Sequence, residues 1–280
     1  MGRAGLVFWS LLLFLGVNGA QGDWIRDFRG DVSYNDNLSN SNRSADERDD
    51  FFFTGRVALG WFGGLTDDLR LTAMADLDGR AFARYDDFNS LTISSSAALR
   101  YRFGLGAMAP FVRVEASGGY AAFHQSFQSG GRFRTGITVG KRIVERLVLD
   151  ASYFYEEIGG EIRVFDRFSH IFALNAAFDL SERTRLSAGY ELRGGEVVSY
   201  AVPPRPDIVA IANARRTVDT FGQPYVAYNF DAVTNILSLG VSQALTESLS
   251  ANARYEWRRT NRSDISYTNN ILQLSIHAAF

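Results

Sequence analysis

The chain has 280 residues, with 29 basic against 31 acidic side chains, so it lacks the basic excess of a nucleic-acid binder. There is no Cys and only three His, which excludes thiol chemistry, disulfides and Cys-ligated metals and leaves little scope for a His-rich metal site. About one residue in seven is aromatic and Pro is rare, a mixture that suits strands.

Residues 1–22 read as a secretory signal peptide. Arg3 supplies the positive start, residues 4–17 form an apolar core, and small residues follow up to Gly22. Ala20-Gln21-Gly22 fits the cleavage pattern, although Asn18 is unusual three places before the cut. The other reading is a membrane anchor, but the apolar run is short of the roughly 20 residues a helix needs to span a bilayer.

The mature chain is 23–280, and from residue 50 onward it alternates with period two. In 69–85 the odd positions, from Leu69 and Leu71 to Ala83 and Tyr85, carry no charge. The even positions carry Arg70, Asp76, Asp78, Arg80 and Arg84. That is strand geometry, in a run much longer than an ordinary strand. The same alternation returns near 91–103, 112–120, 132–139, 147–156, 172–178, 185–193, 249–258 and 272–280. Short turns are expected near 62–68, 104–110, 142–146, 179–184 and 244–248. They alternate with longer polar loops at 36–50, 86–90, 124–131, 157–167, 194–224 and 259–268. After the short turns, Leu71, Val112, Leu149, Ala188 and Ala251 recur at intervals of about forty residues, except across the long 194–224 loop.

The predicted fold is all-β: a transmembrane antiparallel up-and-down barrel of twelve strands after a cleaved signal peptide. A soluble sandwich also alternates. Long strands, export, and short turns alternating with long loops favour the membrane barrel. Lipid then fixes the register, because Arg facing the mid-bilayer costs roughly 2–4 kcal/mol. Two aromatic girdles are expected. Trp61, Tyr101, Phe103, Phe178 and Phe280 would mark the short-turn side, and Tyr85, Tyr120, Tyr155 and Trp257 the loop side.

The turn-and-strand units Leu-Thr-Asp-Asp-Leu-Arg-Leu-Thr (65–72), Leu-Ser-Glu-Arg-Thr-Arg-Leu-Ser-Ala-Gly-Tyr (180–190) and Leu-Thr-Glu-Ser-Leu-Ser-Ala-Asn-Ala-Arg-Tyr (245–255), with Val-Ser-Tyr-Asn-Asp-Asn-Leu (32–38), carry a resemblance. The mature chain resembles the porin-like outer-membrane β-barrels of Gram-negative bacteria. That resemblance implies an outer-membrane location. Its partners would be membrane lipids and lipopolysaccharide, the barrel-assembly machinery and small solutes. It also implies that the terminal Phe280 is the insertion signal. It brings no cofactor and no catalytic residue.

The inward set is rich in Arg. Arg70, Arg80, Arg84, Arg100, Arg102, Arg113, Arg132 and Arg134 fall on four successive strands and form a candidate basic track. Asp76, Asp78 and Glu115 sit among them, while Asp150, Glu156, Glu191 and Glu256 lie elsewhere around the wall. One reading is an anion-favouring channel, since guanidinium binds carboxylate and phosphate in fixed geometry. Monomeric porins for acidic oligosaccharides are similar in size. The other reading is internal charge pairing that stabilises or plugs the lumen.

The 194–224 loop holds Pro203-Pro204-Arg205-Pro206, which forbids a strand there, and Asp207, which could cap a short helix. Folded inward it would constrict the pore; a solvated surface loop is the plainer reading. A lipid-cleaving enzyme is a third possibility. His124-Gln125-Ser126 supplies a base near a hydroxyl, and Asn35-Asp36 matches the amino-terminal pair of lipid A deacylases. No acidic or amide partner faces the pair from the next strand, and Lys141, the only Lys, lies at a short turn. The expected function is a passive channel for small solutes, with anions as the candidate class, not an enzyme. The alternatives are a lipid-modifying enzyme and a non-conducting structural or adhesive barrel.

Overall fold

A computed structural model describes residues 22–280; the expected signal peptide lies outside the described residues, apart from Gly22. The strands are β1 (Gly22–Asn35), β2 (Asp50–Gly64), β3 (Leu69–Phe82), β4 (Ser90–Arg102), β5 (Phe111–Phe123), β6 (Gly130–Val144) and β7 (Leu147–Ile158). They continue as β8 (Arg167–Asp179), β9 (Thr184–Ala201), β10 (Ala214–Val218), β11 (Tyr225–Ala244), β12 (Leu249–Arg262) and β13 (Ile265–Ala279).

Twelve of these close into one antiparallel barrel, with β10 standing outside the ring. β9 pairs directly with β11, and β13 pairs with β1 from Asp27↔Ala279 to Asn35↔Ile271. Main-chain bonds extend this seam to the last residue. The Arg26 N–H donates to the Phe280 carbonyl (3.0 Å), and the Phe280 N–H donates to the Arg26 carbonyl (2.9 Å). Closure leaves no open edge, which hydrocarbon could not satisfy.

The outward face confirms the alternation read from the sequence. Leu77, Ile93, Leu99, Val114, Leu174, Leu239 and Leu274 all point away from the lumen; Leu239 is 62% exposed and Leu274 56%. A continuous apolar belt of this kind is untenable in water and required in a bilayer. No described helix is long and apolar enough to cross a membrane; the strands do so.

Several details depart from the sequence reading. β3 ends at Phe82, so Arg84 and Tyr85 lie in an outer loop. The polar loop expected at 259–268 is instead strand, with β12 and β13 joined by a tight hairpin at Ser263, whose φ is 49°. β9 extends through 194–201, so the long connection spans only 202–224. Tyr101, Phe103, Phe178, Phe280 and Tyr120 are exposed as expected of girdle residues, but Trp61 is only 8% exposed. Its ring lies against Gly22, where a Cβ would collide with it.

Leu239→Arg is expected to destabilise the folded barrel by roughly 2–4 kcal/mol, because the guanidinium enters the apolar belt. Leu105→Arg, in a short turn and 90% exposed, should change little. Equilibrium denaturant unfolding in lipid vesicles measures both.

Candidate functional site: the lumen and its outer mouth

The pleat that turns leucines to lipid turns the intervening residues to the lumen. Near the short-turn end, Arg70 stands opposite Arg100, and Arg100 stands opposite Arg113. Neighbouring strands lie about 4.8 Å apart, so three guanidinium stems share one row. Like charges in this arrangement oppose one another. Aromatic faces and one carboxylate offset the repulsion in part. Arg100 lies 4.0 Å from the Phe111 ring centroid, Arg70 lies 5.6 Å from that of Phe62, and Arg113 pairs with Glu115 at 2.8 Å. Arg70 and Arg100 have no carboxylate within 4.0 Å among the described residues. Arg102, at the strand end, reaches Asp68 at 3.5 Å.

Deeper in the lumen, charges are more fully paired. Arg56, which the sequence reading did not single out, holds Asp76 at 2.8 Å and stands opposite Asp78. Arg134 lies over the Phe154 ring at 4.0 Å and reaches Glu156 at 3.8 Å. Arg193 bridges Glu156 (3.4 Å) and Glu191 (3.1 Å). Glu256 is held by Arg254 at 3.0 Å and also by Arg258, and Asp150 accepts a bond from Asn175 Nδ2 at 2.8 Å. Among the described residues, Arg80 and Arg132 have aromatic partners alone, Phe52 at 5.5 Å and Phe123 at 5.8 Å. A chamber of about 560 Å³ opens between Arg56, Asp76, Glu115, Arg132, Arg134 and Glu156. Arg84 does not belong to this wall: it sits in the second outer loop, 3.0 Å from Asp49.

The outer mouth is closed. β9 makes its last pair with β8 at Gly195↔Ser169, and the β9–β11 ribbon continues beyond the wall. Gly195 has φ +155°, and a Cβ there would run into the Phe168 carbonyl, so the departure of β9 needs glycine. The free edge of the ribbon meets the first outer loop. Asn40 Nδ2 donates to the Val198 carbonyl (2.9 Å), the Tyr200 N–H donates to the Ser39 carbonyl (2.8 Å), and Ser199 Oγ donates to the Asn40 carbonyl (2.7 Å). In the barrel, β11, β12 and β13 separate β9 from β1. The ribbon therefore leans inward across the opening.

Apolar side chains from four outer loops pack on it. Val198, Tyr200, Val218, Phe221 and Tyr225 meet Leu38, Tyr85, Phe88, Phe127, Ile162, Val164 and Phe165 in one cluster. A second cluster joins Ile208, Tyr228 and Phe230 to Ile265 and Tyr267 of the last hairpin. The 202–224 segment is thus folded inward, and the surface-loop reading is overturned.

Its anchor is Arg205, 1% exposed, which pairs with Asp207 (2.8 Å) and with Asp46 of the first loop (3.5 Å), and donates to Asn42 Oδ1. Asp207 does not cap the helical turn Pro206–Val209; Arg205 occupies the cap position, with Pro206 inside the first turn. Hydrogen bonding to Arg205 holds the Asp207 carboxyl down to about 2, against an ordinary 3.8.

The enzyme candidates do not assemble. His124 and Ser126 are exposed loop residues, and no side-chain hydrogen bond joins them among the described residues. Asp36 is occupied with Asn270, accepting its N–H (2.7 Å) and its Nδ2 (2.6 Å).

A closed twelve-strand cylinder, apolar outside and charged inside, decides the architecture. The fold is that of an outer-membrane β-barrel. An outer membrane channel from Pseudomonas putida F1 is similar in structure, with a TM-score of 0.58 at 12% identity over 92% of this chain and 96% of that chain. The NanC porin gives a TM-score of 0.45 at 10% identity over 90% and 98% of the two chains. The KdgM porin gives 0.44 at 9% identity over 91% and 99%. No protein-family model and no curated protein matches the chain.

Two outcomes are expected at the mouth. Phe221→Ala removes the ring that touches Tyr85, Phe88, Tyr200 and Tyr225, and should weaken the cluster by about 3–5 kcal/mol. Faster hydrogen exchange over 216–226 with an unchanged barrel would report this. The Arg205–Asp207 anchor should be intact above pH 3.8 and be lost as pH falls through about 2, because the folded carboxyl is the stronger acid. Exchange over 202–224, corrected for intrinsic rates and compared at pH 5 and pH 2, measures it.

Proposed function

We propose that the protein is an outer-membrane passive channel for small anionic solutes, its outer mouth covered by the β9–β11 ribbon. The observation that carries this reading is the Arg70–Arg100–Arg113 row. It places three guanidinium groups on one stretch of lumen wall with a single carboxylate, Glu115, to answer them. A wall of this kind attracts carboxylates and phosphates and repels cations. Arg102 extends the row, and aromatic stacking leaves N–H groups free to face a solute. Phe280, hydrogen-bonded to Arg26 of β1 through its backbone and 75% exposed, is the residue this reading offers to the assembly machinery. The reading gives no catalytic role to His124 or Ser126.

A second reading, a non-conducting structural barrel, draws support from the closed mouth. Planar-bilayer recording separates the two. The channel reading expects conductance steps that favour anions, and larger steps once 203–223 is replaced by a short Gly-Ser turn. In Arg100→Gln with Arg113→Gln the anion-to-cation permeability ratio should fall towards unity. Absence of steps in both the full chain and the loop-replaced chain would leave the structural reading, and an unchanged ratio in the double variant would end the anion track.

A further inference from the structure

Under the ribbon lies a smaller chamber of about 110 Å³. Arg167, Arg193 and Arg258 line it against two carboxylates, Glu156 and Glu196, with Tyr267 beside them. Most of these charges are already engaged. Glu156 is shared by Arg193 (3.4 Å) and Arg134 (3.8 Å). Glu196 accepts the Phe168 N–H at 3.2 Å, and Arg258 is paired with Glu256.

Arg167 is different. It has no carboxylate within 4.0 Å among the described residues, and its buried Nε has no hydrogen-bond acceptor. Arg132 lies within electrostatic range of it, and its own buried Nε is equally without an acceptor. A buried charged donor left unmatched is costly, and more so beside a second cation. Glu156 acts on Arg167 from a distance, but it is already shared by Arg193 and Arg134, and no side chain among the described residues forms an ion pair with Arg167. The chamber has room for a small oxyanion.

We infer that this chamber is a binding site for one small oxyanion of the sulfate, phosphate or short carboxylate class, with Arg167 as its principal donor. The planar fork of the guanidinium suits two oxygens of such a group. The bound anion neutralises the wall beneath the ribbon and so stabilises the closed mouth. The site goes beyond the channel reading and does not rest on it, since a barrel that conducts nothing would hold the same anion.

Calorimetric titration of the full-length folded protein in detergent micelles, at low chloride, with sodium sulfate, inorganic phosphate and sodium acetate in separate arms, tests it. The expected result is saturable binding of one anion per barrel in at least one arm. A thermal transition that rises with that anion, as linkage requires, should accompany it. Arg167→Gln should weaken binding by at least about tenfold and abolish the thermal rise. Arg167→Lys, which keeps the charge and loses the fork, should fall between and serves if the Gln variant fails the heat-modifiable gel test of folding. Arg215→Gln, at an exposed arginine outside the chamber, should bind as the unaltered chain does. No saturable binding in any arm would overturn the site. So would undiminished affinity in a folded Arg167 variant, or a thermal rise that sodium chloride reproduces at equal ionic strength. Because Arg100 lies outside the chamber, an unchanged titration in Arg100→Gln keeps this test separate from that of ion selectivity.

Discussion

Every backbone N–H and C=O at the depth of the hydrocarbon must find its partner within the protein, and that demand organises the molecule. A sheet meets it only by joining its last strand to its first. Here the join runs from Asn35↔Ile271 to Phe280, whose backbone bonds to Arg26 complete the closing ladder. Once the cylinder is closed, the pleat assigns each side chain to lipid or lumen with no freedom left, since a slip of one residue would exchange the two sets. Leucines coat the outside and arginines fill the inside as one consequence of one register.

The inside is then a problem of charge. Deep in the lumen the solution is pairing. Arg56 pairs with Asp76, Arg193 with Glu156 and Glu191, and Arg254 with Glu256, while Arg80, Arg132 and Arg167 have no carboxylate within 4.0 Å among the described residues. Towards the short-turn end, pairing gives way to stacking on Phe62 and Phe111, and the positive charge stays available. A uniform distribution of pairs would have suited stability alone. The row Arg70, Arg100 and Arg113 departs from that distribution, with Glu115 as its one carboxylate partner among the described residues.

Much of this was legible in the sequence. Period-two alternation located nine of the twelve barrel strands and most of their inward residues, Arg84 excepted, because lipid enforces the pattern locally, residue by residue. Arg70, Arg100 and Arg113 could be placed on one wall from alternation alone; that they share one row needed the register. The mouth was not legible. Its contacts join residues far apart in the chain, and the participants, such as Tyr85, Phe88, Phe127 and Phe221, occur singly or in short groups without a period. Arg205 looked like loop punctuation among prolines, and its partners Asn42 and Asp46 lie some 160 positions away. The hairpin between β12 and β13 was missed for a further reason. Arg258, Arg259, Thr260, Asn261 and Arg262 are polar on both faces, as strand residues above the hydrocarbon can be, so no alternation marks them.

The ribbon that covers the opening is not an appended flap. It is the continuation of β9 and β11, two staves of the cylinder, bent inward near Gly194 and Gly195. It is therefore stiff along its length and hinged at its base, in the manner of a lever arm. Any tilt of those two staves moves the ribbon with them, because the same backbone ladder runs through both. The three bonds that Ser39 and Asn40 make to that arm are the first to feel it.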